Sequence, residues 1–257
     1  MGQHGFVVNI GGIIIYIDVI LNALPGKDGM DRRNYPPPFS PGEIQRVDYY
    51  LSTHNHSDHL NLETIVPLAE ANPGAKFIVP YPWTSLLTNA GIGEDRVLGA
   101  GYKEEINLGN ISIIPVPAIH TGFIQDDGER DEKGNYTSLG FAVKSSDISM
   151  YHSGDTWITP GLVKILKALG PLNAAMLPIN GTDWERTDSG CIGNVNAMDA
   201  VRLAREIPVD LVIPSHYDMM PNNTENPAYF ADCMYRHCPE KRFHIFALGE
   251  RFIYGNV

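Results

Sequence analysis

Apolar residues along this chain fall into short β-branched runs that alternate with stretches of helical spacing. Residues 6–10 and 13–20, parted by Gly11-Gly12, predict a hairpin. Residues 23–45, with Pro36-Pro37-Pro38, predict a loop, and 47–51 a short strand. A 3.6-residue apolar rhythm over 62–71 predicts a helix with Asn61 as its N-cap, although Pro67 obscures its start. A strand at 77–79, a short helix at 83–89 and a turn at 91–93 follow.

The second half repeats this rhythm. Strands are predicted at 111–116, 174–177 and 211–213, with a hairpin of 139–144 and 148–151 around Ser145-Ser146-Asp147. Helices are predicted at 162–169, ended by Gly170-Pro171, and at 197–206 and 227–237. A last hairpin, 243–247 with 251–254, would close the chain. Strands alternating with helices in both halves predict an α/β protein with two sheets and helices outside them. It reads as one domain, 1–257, of two similar halves, about 1–110 and 111–257.

Size and composition agree, since 257 residues with 43% hydrophobic and 19% charged side chains suit a single α/β domain. A net charge of −11 without a Lys/Arg cluster argues against nucleic acid as the main partner. Three cysteines, Cys191, Cys233 and Cys238, form no pairing pattern, which fits a reducing compartment. The apolar run 13–17 is too short to span a membrane and is broken by Asp18. The first residues do not read as a signal peptide, so a cytoplasmic location is expected, with no membrane partner. A homo-oligomer stays open.

The chemistry is concentrated in Thr53-His54-Asn55-His56-Ser57-Asp58-His59-Leu60. Imidazole nitrogen and carboxylate oxygen are the donors that borderline divalent metals prefer. On an extended backbone His54 and His56 would project to one side, while Asp58 and His59 diverge unless the chain turns, so one segment can serve two metals. The plainer alternative is a solvated His-rich loop. Further donors should stand at later strand ends, where His120, Asp155 and His216 are found. Each alone could be an ordinary hydrogen-bonded loop residue. The full order, five histidines and two aspartates at strand ends, is much harder to reach by chance.

With Gly2-Gln3-His4-Gly5-Phe6, Thr53–Leu60, 117–120, 151–156, 176–180 and 212–218, the chain resembles the metallo-β-lactamase-fold superfamily. Within it the chain is most similar to the L-ascorbate-6-phosphate lactonase-like metal-dependent hydrolases. That resemblance implies a four-layer αββα sandwich of two mixed sheets flanked by helices, with the site at one edge. It implies two divalent ions, zinc or manganese: one held by His54, His56 and His120, the other by Asp58, His59 and His216, with Asp155 between them. His56 stands where the di-iron oxygen-reducing relatives carry Glu, so redox chemistry is not expected.

The expected chemistry is hydrolysis by a metal-bridging hydroxide, with Asp58 shuttling the proton. The expected substrate is a small polar molecule, a sugar-derived lactone with or without a phosphate. A phosphodiesterase or nuclease of the same fold is the enzymatic alternative, and a non-catalytic scaffold the alternative of another class. His152, Asn180, Tyr217 and Asp218 are candidates to meet substrate, with a packing or supporting role as the other reading of His152. Asp18 is a candidate partner for a ligand histidine, and the polar segment 121–137 is an exposed loop or a lid. His4, His237 and His244 have no ligand context in the sequence.

Overall fold

The computed structural model describes residues 1–26, 28–121 and 127–255. One sheet comes from the first hundred residues. In it β1 (Phe6–Ile10), β2 (Ile13–Ile17), β3 (Tyr49–Leu51), β4 (Lys76–Pro80) and β5 (Val97–Ala100) lie side by side in chain order. The other holds β6 (Ile106–Leu108), β7 (Ile111–Pro117), β8 (Leu139–Lys144), β9 (Ser149–His152), β10 (Leu172–Pro178), β11 (Val209–Ser215) and β12 (Arg242–Phe243), also in chain order. Only β1–β2 in the first sheet and β6 through β9 in the second pair antiparallel; the remaining pairs are parallel.

Parallel neighbours require a crossover, and helices supply most of them. Helices α1 (Leu62–Ala71) and α2 (Thr84–Asn89) link β3 to β4 and β4 to β5. In the second half α3 (Pro160–Ala168) precedes β10, α4 (Trp184–Asp188) and α5 (Ala197–Glu206) precede β11, and α6 (Pro227–His237) precedes β12. The helix starts follow capping chemistry: Asn61, Thr159, Asn196 and Asn226 each accept a backbone N–H of the first turn. Pro67 sits inside α1 without ending it.

Period-two alternation sorts the strands into layers. Ile15, Ile17, Leu51 and Ile78 face the second sheet, where they join Ile113, Phe141, Val143, Met150, Met176 and Ile213. Their neighbours Tyr16, Tyr50, Phe77 and Val79 point the other way, onto Ile65 and Leu68 of α1 and Leu87 of α2. Beyond the second sheet, Tyr151, Ala175, Leu177 and Val212 pack on Leu162, Val201 and Phe230 of α3, α5 and α6. The result is an αββα sandwich in which each fully buried large apolar side chain contributes about 1.5–3 kcal/mol. No helix among the described residues is long and apolar enough to cross a membrane.

Two expectations need correction. The run 13–20 stops being a strand at Ile17, because Asp18 adopts a left-handed backbone with φ 49°. The closing hairpin does not form: β12 is two residues long and pairs parallel to β11. After it, Phe246 and Tyr254 pack singly against the margin of the inter-sheet core, and Tyr254 donates to Asp210 at 2.7 Å. Apolar content there reflects packing onto a sheet edge and not strand pairing.

Candidate metal centre

The carboxyl ends of β2, β3, β7, β9 and β11 meet at one edge of the sandwich, and the titratable residues stand there. Residues 53–59 are a tight turn, in which the His56 carbonyl accepts the amides of His59 and Leu60 at 2.9 and 2.8 Å. The extended geometry expected for His54 and His56 is therefore replaced by a bend, and that bend is what turns Asp58 and His59 toward a second group of donors. Gly154, with φ 59°, lets the chain after β9 approach Thr53 closely; a Cβ there would lie 2.9 Å from that side chain. The next residue, Asp155, thereby enters the cluster. His120 is fixed beside it, because the Ile119 amide donates to the Thr156 hydroxyl at 3.0 Å.

Two groups of donor atoms result. His54 Nε2 lies 3.0 Å from His56 Nδ1, which lies 3.2 Å from His120 Nε2. His59 Nε2 lies 3.3 Å from His216 Nε2 and 3.6 Å from Asp58 Oδ2, and His216 Nε2 is 3.5 Å from Asp58. Asp155 stands between the groups, 3.3 Å from His59, 3.1 Å from His216 and 3.7 Å from His120. All seven residues of the predicted donor set are thus brought together, within the mutual distances of atoms sharing a small cation.

Asp18, on its strained backbone at the end of β2, sets the direction of two of these rings. It is 1% exposed, and it accepts the Thr53 amide at 2.8 Å, the Thr53 hydroxyl at 2.7 Å and His59 Nδ1 at 2.8 Å. A proton on His59 Nδ1 leaves the lone pair of Nε2 facing the cluster. Thr53, its own proton committed to Asp18, can only accept from His54 Nδ1 at 3.0 Å, so His54 Nε2 also offers a lone pair. Imidazole lone pairs turned toward one another repel unless a cation lies among them. The donor set therefore fits divalent metal ions.

Electrostatics separates the two groups. Burial holds His54 well below the ordinary imidazole range, lowers His56, and pushes His120 down to about 4. Burial opposes charge on His59 and His216 too, but there the carboxylates prevail. Asp155, with Asp58 and Asp18, raises His59 well above its usual value, and Asp155 and Asp58 raise His216 to about 9. Asp155 itself, despite burial, is held well below the usual carboxylate range by His216 and His59.

The site opens on a cavity of about 310 Å³ lined by His56, Ser57, Asp58, His120, Asp155, 189–192, His216, Met220, Asn222 and Asn223. A larger apolar cavity of about 650 Å³, between β1 and residues 246–254, shares no residue with it. The residues expected to meet substrate have other partners. His152 is fully buried, with Nε2 2.8 Å from the His4 carbonyl. Asn180 donates to Asn223 at 2.8 Å, Tyr217 packs on the outer core, and Asp218 accepts the Gln3 amide at 2.8 Å. None of the four is among the residues that line this cavity.

His4 corrects the sequence reading: it is fully buried, 3.4 Å from Asp155, with its ring 4.1 Å from that of His152 and tilted 33° to it. Its signal was faint, a lone His in a Gly-rich segment. Gln3 was likewise missed, although its amide reaches Asp58 at 2.8 Å. His244 pairs with Glu250 at 2.8 Å, and His237 lies exposed in the last turn of α6. Of the segment 121–137, residues 122–126 lie outside the described residues; Tyr136, at its end, is buried in the inter-sheet core.

Comparison with known proteins bears on the family and the fold. Residues 18–217 match the model of the Beta-lactamase superfamily domain. A UPF0173 metal-dependent hydrolase of Thermofilum pendens is 32% identical over 222 residues, covering 81% of this chain and 84% of the relative. A metallo hydrolase from Ignicoccus hospitalis superposes with a TM-score of 0.71 at 19% identity, over 97% of this chain and 94% of that one. The isothiocyanate hydrolase from Delia radicum gut bacteria does so with a TM-score of 0.75 at 17% identity, over 98% and 97%. At such identities these two structures speak to the fold alone.

Proposed function

The chain belongs to the β-lactamase superfamily domain family and to its UPF0173 metal-dependent hydrolases, and we propose that it opens a small, polar, sugar-derived lactone using two divalent ions, zinc or manganese. His54, His56 and His120 would hold one ion, Asp58, His59 and His216 the other, with Asp155 shared. The observation that carries this reading is the convergence of seven donors from four strand ends at one cavity, which five of them line. When bound, such ions supply Lewis acidity and make water nucleophilic near neutral pH.

The protein's own residues prepare the rest. Asp58, with its side chain 20% exposed at the cavity, is placed to accept a proton from water entering there. Asp18 and Thr53 keep His59 and His54 in the tautomers that present Nε2. Ser57, Asn222 and Asn223 offer uncharged hydrogen-bonding groups along the wall, suited to sugar hydroxyls. No Lys or Arg lines the cavity among the described residues. Arg33 is committed to the Ile20 and Asn22 carbonyls, and Arg186 to the carbonyls of Asn180 and Thr224. That favours a lactone without a phosphate, and it weakens the phosphodiester alternative.

The test is hydrolysis of lactones, phosphodiesters and β-lactams by protein loaded separately with zinc and manganese. The lactones should respond. Rapid phosphodiester cleavage with silent lactones would reverse the ranking, and full metal occupancy with no turnover on any panel would favour the scaffold.

A further inference from the structure

The geometry points to Gln3 as a further metal ligand, its side-chain carbonyl completing the position formed by Asp58, His59 and His216; the inference rests on the metal-pair reading above. Residues 2–5 form a turn closed by the Gly5 amide on the Gly2 carbonyl at 2.9 Å, with Gln3 and His4 at its tip. Gln3 has φ 53°, a conformation that a residue with a Cβ adopts only when its surroundings hold it there. Its amide donates to Asp218 at 2.8 Å, and its carbonyl accepts the His216 amide at 2.7 Å. The backbone is thus clamped to the strand end that carries His216, and the side chain, 4% exposed, has one direction to take.

That direction is into the donor group. The head of the amide, at Nε2, lies 2.8 Å from Asp58 Oδ2 and 3.1 Å from His216 Nε2. These are the spacings the donors keep among themselves, as in His216 to Asp155 at 3.1 Å and His59 to His216 at 3.3 Å. The other end of the amide, Oε1, is buried and has no partner. Half a turn about the last side-chain torsion exchanges the two ends and moves no neighbouring atom. An NH₂ group among these donors opposes a cation, whereas the carbonyl oxygen binds it. With Gln3, Asp58 and Asp155 this position is oxygen-rich beside the all-imidazole group, so it should favour a harder ion such as manganese.

The experiment is titration of the metal-free protein with manganese and zinc against a chromophoric chelator, with elemental analysis of bound metal. It compares wild type, Gln3→Gly and Gln3→Glu; glycine adopts φ 53° without strain, and a thermal melt verifies folding. Wild type should bind two ions. Gln3→Gly should bind one of them ~10–100-fold more weakly and the other unchanged. Gln3→Glu, which can ligate but cannot donate an N–H, should bind both at least as tightly as wild type. Equal affinities in wild type and Gln3→Gly would overturn the proposal. So would a Gln3→Glu protein as weak as Gln3→Gly, which would make Gln3 an N–H donor to Asp58. A wild-type chain that takes up one ion or none would instead overturn the metal pair itself, and the role of Gln3 with it.

Discussion

The two donor groups share one seven-residue turn, which supplies His54 and His56 to the first and Asp58 and His59 to the second, yet they are electrostatic opposites. His54, His56 and His120 are kept neutral by burial, whereas His59 and His216 are surrounded by carboxylates that draw protons onto them. The first group is ready for a cation as it stands. In the second, a cation must take the place of protons that already offset the charge of Asp58 and Asp155. Identical side chains would therefore take up a cation by different exchanges, and the carboxylates beside them decide which.

The largest effect that could break this contrast should come from Asp155, whose carboxylate lies against His59 and His216 on one side and His120 on the other. Asp155→Ala should lose more than the ~10–100-fold of affinity typical of losing a mere supporting partner, for both ions, with hydrolysis falling alongside. Bound-metal analysis and turnover on a lactone check this. Loss of one ion only would show that Asp155 belongs to a single group. Next comes Asp18→Ala, which frees the His59 and His54 rings together. Both ions should weaken by ~10–100-fold while the fold persists, as read by chelator competition and circular dichroism.

The pH dependence sharpens the comparison. Affinity at the second group should rise about tenfold per pH unit for each proton displaced, up to the value of about 9 to which His216 is raised. Affinity at the first group should be level above pH ~6.5, since His120 is already lowered to about 4. Metal-free stability carries the same signature. His216, raised when folded, stabilises fully below its unfolded value of ~6.5, and that contribution is lost as pH climbs through about 9. His120, lowered when folded, penalises the native state as pH falls from ~6.5 toward 4. Melting temperature without metal should therefore peak near pH ~6.5; a monotonic profile would contradict the opposed environments. The smallest effect belongs to Thr53→Val, which removes the partner of His54 Nδ1 and the hydroxyl donor to Asp18, while the backbone amide of residue 53 still holds Asp18. It should weaken the first ion by ~10-fold or less and the second by less than the first.

Particular elements show how far the chain could be read unaided. Helices α1, α5 and α6 begin and end where their apolar spacing places them, and Asn61 caps α1 as its sequence position suggests, because both signals are local. The donor set was legible because each member follows an apolar run that must be a strand, and strand ends of one sandwich edge lie together. The hairpin expected at 243–254 was not legible, since apolar residues packing on a sheet margin have the composition of a strand. Gln3 and His4 were not legible as site residues either. Nothing in a Gly-rich N-terminal tetrapeptide announces that its turn will be pinned between β11 and Asp58.

The order of residues by itself determined the layers and singled out the seven side chains that the fold brings together, for periodicity and ligand type are properties of short segments. Only the tertiary structure decided which histidines sit neutral and which sit among carboxylates, and which side chains stand behind the donors. Those outcomes depend on burial and on charges brought together from residues up to about two hundred positions apart, as when Gln3 meets Asp218 across 215 residues of chain.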